Sequence, residues 1–189
     1  MYKSAHQFKP VYDKLGINLS KLGCVMLDLE SNGESLLPSF VEPNDLYVSK
    51  NKERFWIDGD VSRNMHVTLL YGLLDEARSM EGDIEEVLRG WKLDAVEVNR
   101  IGCFDSPYPD EDYYCIVAEI VLSNALVEGH ERLECLPHIN TFPGYKAHAT
   151  ICYIRKDEAL RNRIVRSLEN RLLGSKILVK NELNLGGNK

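Results

Sequence analysis

Two stretches decide the fold of this chain: HVTLLYG, residues 66–72, and HATICYI, residues 148–154. Each reads His-x-Thr, then two apolar residues, then Tyr. Short, apolar and partly β-branched runs of this kind predict strands. Side chains i and i+2 of a strand share a face. His66 and Thr68 therefore project together, as do His148 and Thr150. Val67, Leu69, Ala149 and Ile151 back them on the other face. Simple alternation puts Tyr71 and Tyr153 on that apolar face as well, as core residues. The chain has five His and three Thr in 189 residues. One His-x-Thr would be an ordinary core strand with a hydrogen-bonded histidine, but chance rarely writes the full pattern twice.

If both strands face one cleft, the site holds two imidazoles and two hydroxyls. That set suits phosphodiester chemistry without a metal. One neutral imidazole takes a proton from the attacking hydroxyl or water, and the other, protonated, gives one to the leaving oxygen. Imidazole titrates near pH ~6.5, so both forms exist at cellular pH. Thr hydroxyls donate to non-bridging phosphate oxygens. A module that only sequestered a nucleotide signal would not need two matched acid–base groups. Which histidine is base and which is acid depends on how the substrate lies.

Working outward, LGCVMLDLE (22–30) reads as a buried strand. Residues 31–63 are rich in Gly, Pro, Asn and charge and read mostly as loop, with a short helix near Leu36. A helix is expected over 75–93, from its apolar series Ile84, Val87, Leu88 and Trp91. DAVEVNRIGCF and YYCIVAEIVL are two strands, and DSPYPDED between them is a hairpin tip. SNALVEGHERLECL opens with N-cap types and reads as a helix. INTFPGYKA is a loop. DEALRNRIVRSLENRLLG has an acidic start, a basic end and a terminal Gly, which bound a helix. KILVKNELNL is a last strand. Each motif strand is followed by an acidic-started helix and another strand. The whole, residues 1–189, is read as one bilobal domain, with 1–20 and 31–63 as additions that cap the cleft.

Composition narrows the function classes. The net charge is −6, which argues against a general grip on duplex DNA, since such binding rests on a basic field. A small anionic ligand held by local cations is compatible with it. No apolar run reaches the ~18 residues of a membrane span, and the start, MYKSAHQFKP, does not read as a signal peptide. Five cysteines without a CxxC pair read as reduced thiols of a cytoplasmic protein. His6, His130 and His138 lack metal-ligand spacing. No phosphate-loop or dinucleotide-binding glycine pattern occurs, so no nucleotide cofactor is expected. Tyr145, Phe142 and Trp56, in loops before the motifs, are candidates to stack on bases, with Tyr12 as a further one. Lys146, Arg155 and Lys156 flank the second motif and are candidates to meet phosphate.

HVTLLYG and HATICYI, each followed by helix and strand, resemble the two signature motifs of the two-histidine phosphoesterase superfamily. That group includes 2′-5′ RNA ligase-like proteins, cyclic nucleotide phosphodiesterases and viral 2′-5′ oligoadenylate phosphodiesterases. The resemblance spans about Leu22 to Leu185. It implies an α+β fold of two pseudo-symmetric lobes of antiparallel sheet and helices around a central cleft. By the match, His66 and His148 are the catalytic acid–base pair, Thr68 and Thr150 are phosphate clamps, and no metal or other cofactor is used. TFPGYKAHATICYI resembles the second-motif region of phage-encoded members, some of which degrade cyclic oligonucleotide signals of bacterial defence (the anti-CBASS nucleases). Such a protein would act in the host cytoplasm. A Pro often precedes the motif His in that family. Here Met65 and Ala147 stand in its place.

Overall fold

The computed structural model describes residues 22–31, 33–140 and 144–187. Among the described residues, six strands and three helices follow the expected order: β1 (Gly23–Leu29), β2 (His66–Leu73), α1 (Glu81–Val87), β3 (Ala95–Asp105), β4 (Tyr113–Ile120), α2 (Asn124–Leu133), β5 (His148–Arg155), α3 (Glu158–Leu172) and β6 (Lys176–Gly187). All the strands join one antiparallel sheet in the order β2-β1-β6-β3-β4-β5. β6 is the seam. Its first three residues pair with β3, and the stretch from Val179 onward pairs with β1. The sheet thus falls into two halves of three strands, β2-β1-β6 and β3-β4-β5.

The two motif strands stand at opposite ends of this order, yet β2 and β5 pack against one another. The sheet therefore curls until its ends meet. One face carries the core: Val25, Leu27, Leu29, Val67, Leu69, Ile116, Ala118, Ala149 and Ile151 are buried there with Ile84 of α1, Leu126 and Leu133 of α2, and Leu160, Ile164 and Leu168 of α3. Each large aliphatic side chain so removed from water contributes roughly 2 kcal/mol. The other face lines the cleft.

The helices obey their end signals. Asp157 caps α3, its carboxylate accepting from the Leu160 N–H at 2.9 Å. Leu160, Ile164 and Leu168 recur every four residues on the buried side. Gly174, at φ 72°, turns the chain out of the helix as only glycine does cheaply. Ser123 caps α2 by accepting from Leu126 N–H at 3.2 Å. The expectation over 75–93 is too long. Residues Ala77–Met80 form a 3₁₀ turn and α1 holds only Glu81–Val87. Acidic residues run through that helix and no basic one stands in its last turn, so the macrodipole disfavours extension. The helix expected near Leu36 is also absent. Short 3₁₀ turns occur instead at Pro43–Asp45, Lys52–Arg54 and Ser62–Asn64.

The stretch from Leu46 to Val61 forms an arm along the outer edge of β5. Tyr47 N–H donates to Tyr153 O at 2.9 Å, Tyr153 N–H to Gly59 O at 2.7 Å, and Val61 N–H to Ile151 O at 3.1 Å. Correspondingly, residues 137–139 cover the outer edge of β2: Leu74 N–H donates to Pro137 O and Ile139 N–H to Gly72 O. The segment leading into each motif strand covers the edge of the other.

Candidate active site

Directly paired residues of an antiparallel ladder point to the same side. The register therefore gives the cleft face row by row. In the first half, His66 lies opposite Asp28, Thr68 opposite Met26, and Tyr71 opposite Cys24. In the second, His148 lies opposite Glu119, Thr150 opposite Val117, and Tyr153 opposite Cys115. Both ladders skip one residue at the same place in the motif: Leu69 between Thr68 and Leu70, and Ile151 between Thr150 and Cys152. These are β-bulges, and each shifts the alternation by one. The two apolar residues of the motif are both buried as a result. The tyrosines, expected on the core face, are turned to the side of the histidines. Tyr71 is 37% exposed, whereas Tyr153 is covered by Tyr113 and Ile57.

Each motif histidine is tied to the carbonyl two residues earlier. His148 Nδ1 is 2.9 Å from Lys146 O, and His66 hydrogen-bonds the backbone of Asn64. For His148 the carbonyl partner fixes Nδ1 as the donor. The two rings are near enough that His148 disfavours a charge on His66. His66 titrates below the ordinary imidazole value, chiefly because burial penalises its charged form. The Asn64 carbonyl and Asp28 oppose that shift. Thr150 hydrogen-bonds Tyr153 and stands 3.9 Å from Cys115 Sγ. Burial pushes the Cys115 thiol up to about 12, so it stays protonated as a weak donor.

Several residues at this site were not singled out in the sequence. Asp28 accepts from Asn184 Nδ2 at 2.8 Å. Glu119 accepts two bonds from the Arg100 guanidinium, at 2.7 and 2.8 Å. The Glu119 side chain lies across Gly102, where a Cβ would sit 2.5 Å from its oxygen. Each half thus repeats one plan over three strands: a motif histidine, a carboxylate facing it, and a donor holding the carboxylate. Phe104 stands edge-on to His148, with centroids 5.3 Å apart at 89°, and is 40% exposed. The signal was a single acid inside each apolar run, LDL and VAEIV. A groove of about 680 Å³ along β6 touches Asp28 at one end and is otherwise lined by residues such as Arg78, Lys180 and Glu182. The histidines do not line it.

The substrate-binding candidates fare unevenly. Tyr145 lies parallel to His130, with centroids 4.0 Å apart at 9°, and its hydroxyl donates to Thr68 O at 3.0 Å. It is built into the wall of the first half-site rather than held out for a base. Trp56 is 40% exposed at the tip of the arm, packed edge-on against Phe55. Arg155 is engaged by Asp45 at 3.1 Å and Asp157 at 2.9 Å, and Lys156 by Asp105 and Asp112. Neither points to an uncompensated phosphate site. Lys146 is exposed beside the second motif and places its carbonyl on His148. Phe142 and Tyr12 lie outside the described residues. Among the described residues no helix is long and apolar enough to cross a membrane.

No protein-family model matches the sequence, and no curated protein sequence matches it. Solved structures do. Usb1 of Kluyveromyces marxianus aligns with a TM-score of 0.50 at 12% identity, covering 90% of this chain and 96% of that one. The same protein with uridine monophosphate aligns with a TM-score of 0.53 at 11% identity, covering 91% and 97%. The likeness spans nearly the whole of both chains, and at this identity it speaks for the fold. The chain shares its architecture with Usb1, an α+β sheet with helices on one face.

Proposed function

We propose that this protein is a metal-independent phosphodiesterase acting on small nucleotide phosphodiesters, with His66 as general base and His148 as general acid. One observation carries the reading: the curled sheet brings its two end strands together, and each presents a carbonyl-anchored histidine and a threonine to the same cleft. The lowered titration of His66 keeps it neutral, as a base must be. His66 takes the proton of the attacking hydroxyl or water as the new P–O bond forms. His148 gives a proton to the oxygen that leaves as the old P–O bond breaks. Thr68 and Thr150 donate to the non-bridging oxygens, where negative charge is held. The next turnover requires both protons to be reset from solvent.

Within that class, the first substrate to test is a cyclic di- or trinucleotide signal, as in phage counter-defence. The phage-like second-motif region supports it. The alternative is a linear RNA end, either a 2′,3′-cyclic phosphate or a 2′-5′ linkage. The uridine monophosphate carried by the structurally similar Usb1 supports this one. The deciding experiment is a chromatographic cleavage screen in excess EDTA over 3′,3′- and 2′,3′-linked cyclic dinucleotides, cyclic trinucleotides, 2′-5′ oligoadenylate and RNA with a 2′,3′-cyclic end. Cleavage that survives EDTA and vanishes in His66→Ala and in His148→Ala supports the proposal and names the substrate. Ligand that binds and is returned intact would replace it with a nucleotide-sequestering role.

A further inference from the structure

In a regular strand, successive carbonyls point to opposite edges. Thr68 and Leu69 break this rule. Tyr145 Oη donates to Thr68 O at 3.0 Å, and His130 Nδ1 lies 2.6 Å from Leu69 O. The two rings making these bonds are stacked on each other, so both carbonyls must open to the same side. That is the backbone signature of the β2 bulge, seen from the groups that satisfy it. The equivalent carbonyl of the second bulge, Ile151 O, accepts instead from the backbone N–H of Val61. One half-site has its bulge held by main chain and the other by two side chains.

We propose that the stacked His130–Tyr145 pair is a positioning device, which holds the β2 bulge open and thereby fixes Thr68 and Tyr71 toward the cleft. His130 reaches from α2, whose backbone is anchored by the Ser123 cap. Its Nε2 lies 3.6 Å from Glu134 Oε1, and its side chain is only 15% exposed. Tyr145 stands three residues before His148, so the same short segment braces one half-site and enters the other. Burial raises the Tyr145 hydroxyl above the ordinary phenol value, which keeps it a donor. Without these two donors, adjacent carbonyls would face a half-buried wall unpaired. The strand could then relieve them by returning to regular alternation. That slip would turn Tyr71 to the core face and misplace Thr68.

The inference rests on the phosphodiesterase reading for its kinetic arm and is independent of it for its spectroscopic one. His130→Ala and Tyr145→Phe are compared with His130→Asn, whose amide nitrogen stands where Nδ1 does. With the phosphodiester that the screen identifies, kcat is expected to fall on the order of tenfold or more in the first two, as for a displaced catalytic group. KM should stay within about twofold, and His130→Asn should recover most of the loss. In parallel, NMR resonances of the Thr68–Tyr71 amides and the Tyr71 ring should move in His130→Ala and return in His130→Asn. A lowered melting temperature with kcat per folded molecule and these resonances unchanged would overturn the proposal and leave the pair a plain packing contact. If the wild type cleaves nothing, the phosphodiesterase reading fails, and the resonances alone decide whether the pair holds the bulge.

Discussion

At the scale of single residues, the proposed mechanism rests on two chemically equal imidazoles placed in unequal surroundings. Both are held from behind by a carbonyl two residues back, and both face a carboxylate. Their surroundings differ. Glu119 is balanced by Arg100, whereas Asp28 is held by the neutral Asn184. His66→Ala and His148→Ala should each lower turnover by about 10²–10⁴, the usual worth of acid–base catalysis. Thr68→Ala and Thr150→Ala should cost less, roughly tenfold to a hundredfold, in steady-state assays. The pH profile follows from His66. Its folded value lies below the ordinary ~6.5, so the acidic limb of kcat/KM should fall below that pH. Asp28 favours the charged ring, so Asp28→Asn should move the limb further down, and an upward move would contradict the assignment. The linkage has the same sign. The unfolded chain protonates this histidine first, so its contribution to stability is whole above ~6.5 and is lost as pH falls toward the folded value. Urea midpoints across pH 5–8 would read it (about that window).

At the scale of elements, the bulge changes what a motif means. HVTLLYG and HATICYI look like simple alternation, and alternation puts their tyrosines in the core. One extra residue after each threonine reverses that. The two tyrosines then diverge, because their neighbours do. Tyr153 is roofed by Tyr113, 5.4 Å away edge-on, while Tyr71 keeps an open side. Tyr153→Ala should therefore destabilise the protein by about 3 kcal/mol, as loss of a buried aromatic does. Tyr71→Ala should cost under about 1 kcal/mol in denaturant yet reduce activity. Equal losses of stability in urea titrations would argue that both lie in the core after all.

At the scale of the whole molecule, the arm from Leu46 to Val61 ties the second half-site together. Arg54 bonds Asp110 and Glu111 at the hairpin tip, with its guanidinium 3.8 Å over the Tyr108 ring. Glu111 is 7% exposed and also accepts from Ser49 Oγ. Arg54→Ala strands a buried carboxylate. It should cost about 3 kcal/mol and speed tryptic cleavage at the already exposed Lys50 and Lys52 by loosening the arm, which limited proteolysis would show. Much of this protein is already present in local patterns. Strand and helix positions follow from hydrophobic spacing and caps, which act within a few residues. The two His-x-Thr pairs follow from their own periodicity. The bulges, the facing carboxylates Asp28 and Glu119, and the burial of Tyr145 against His130 do not, because each depends on a partner farther along the chain. The sequence by itself determined where the two His-x-Thr strands lie. Only the tertiary structure decided that the ends of the sheet meet, since closure is settled by packing between residues about eighty positions apart, and with it which side chains share the cleft.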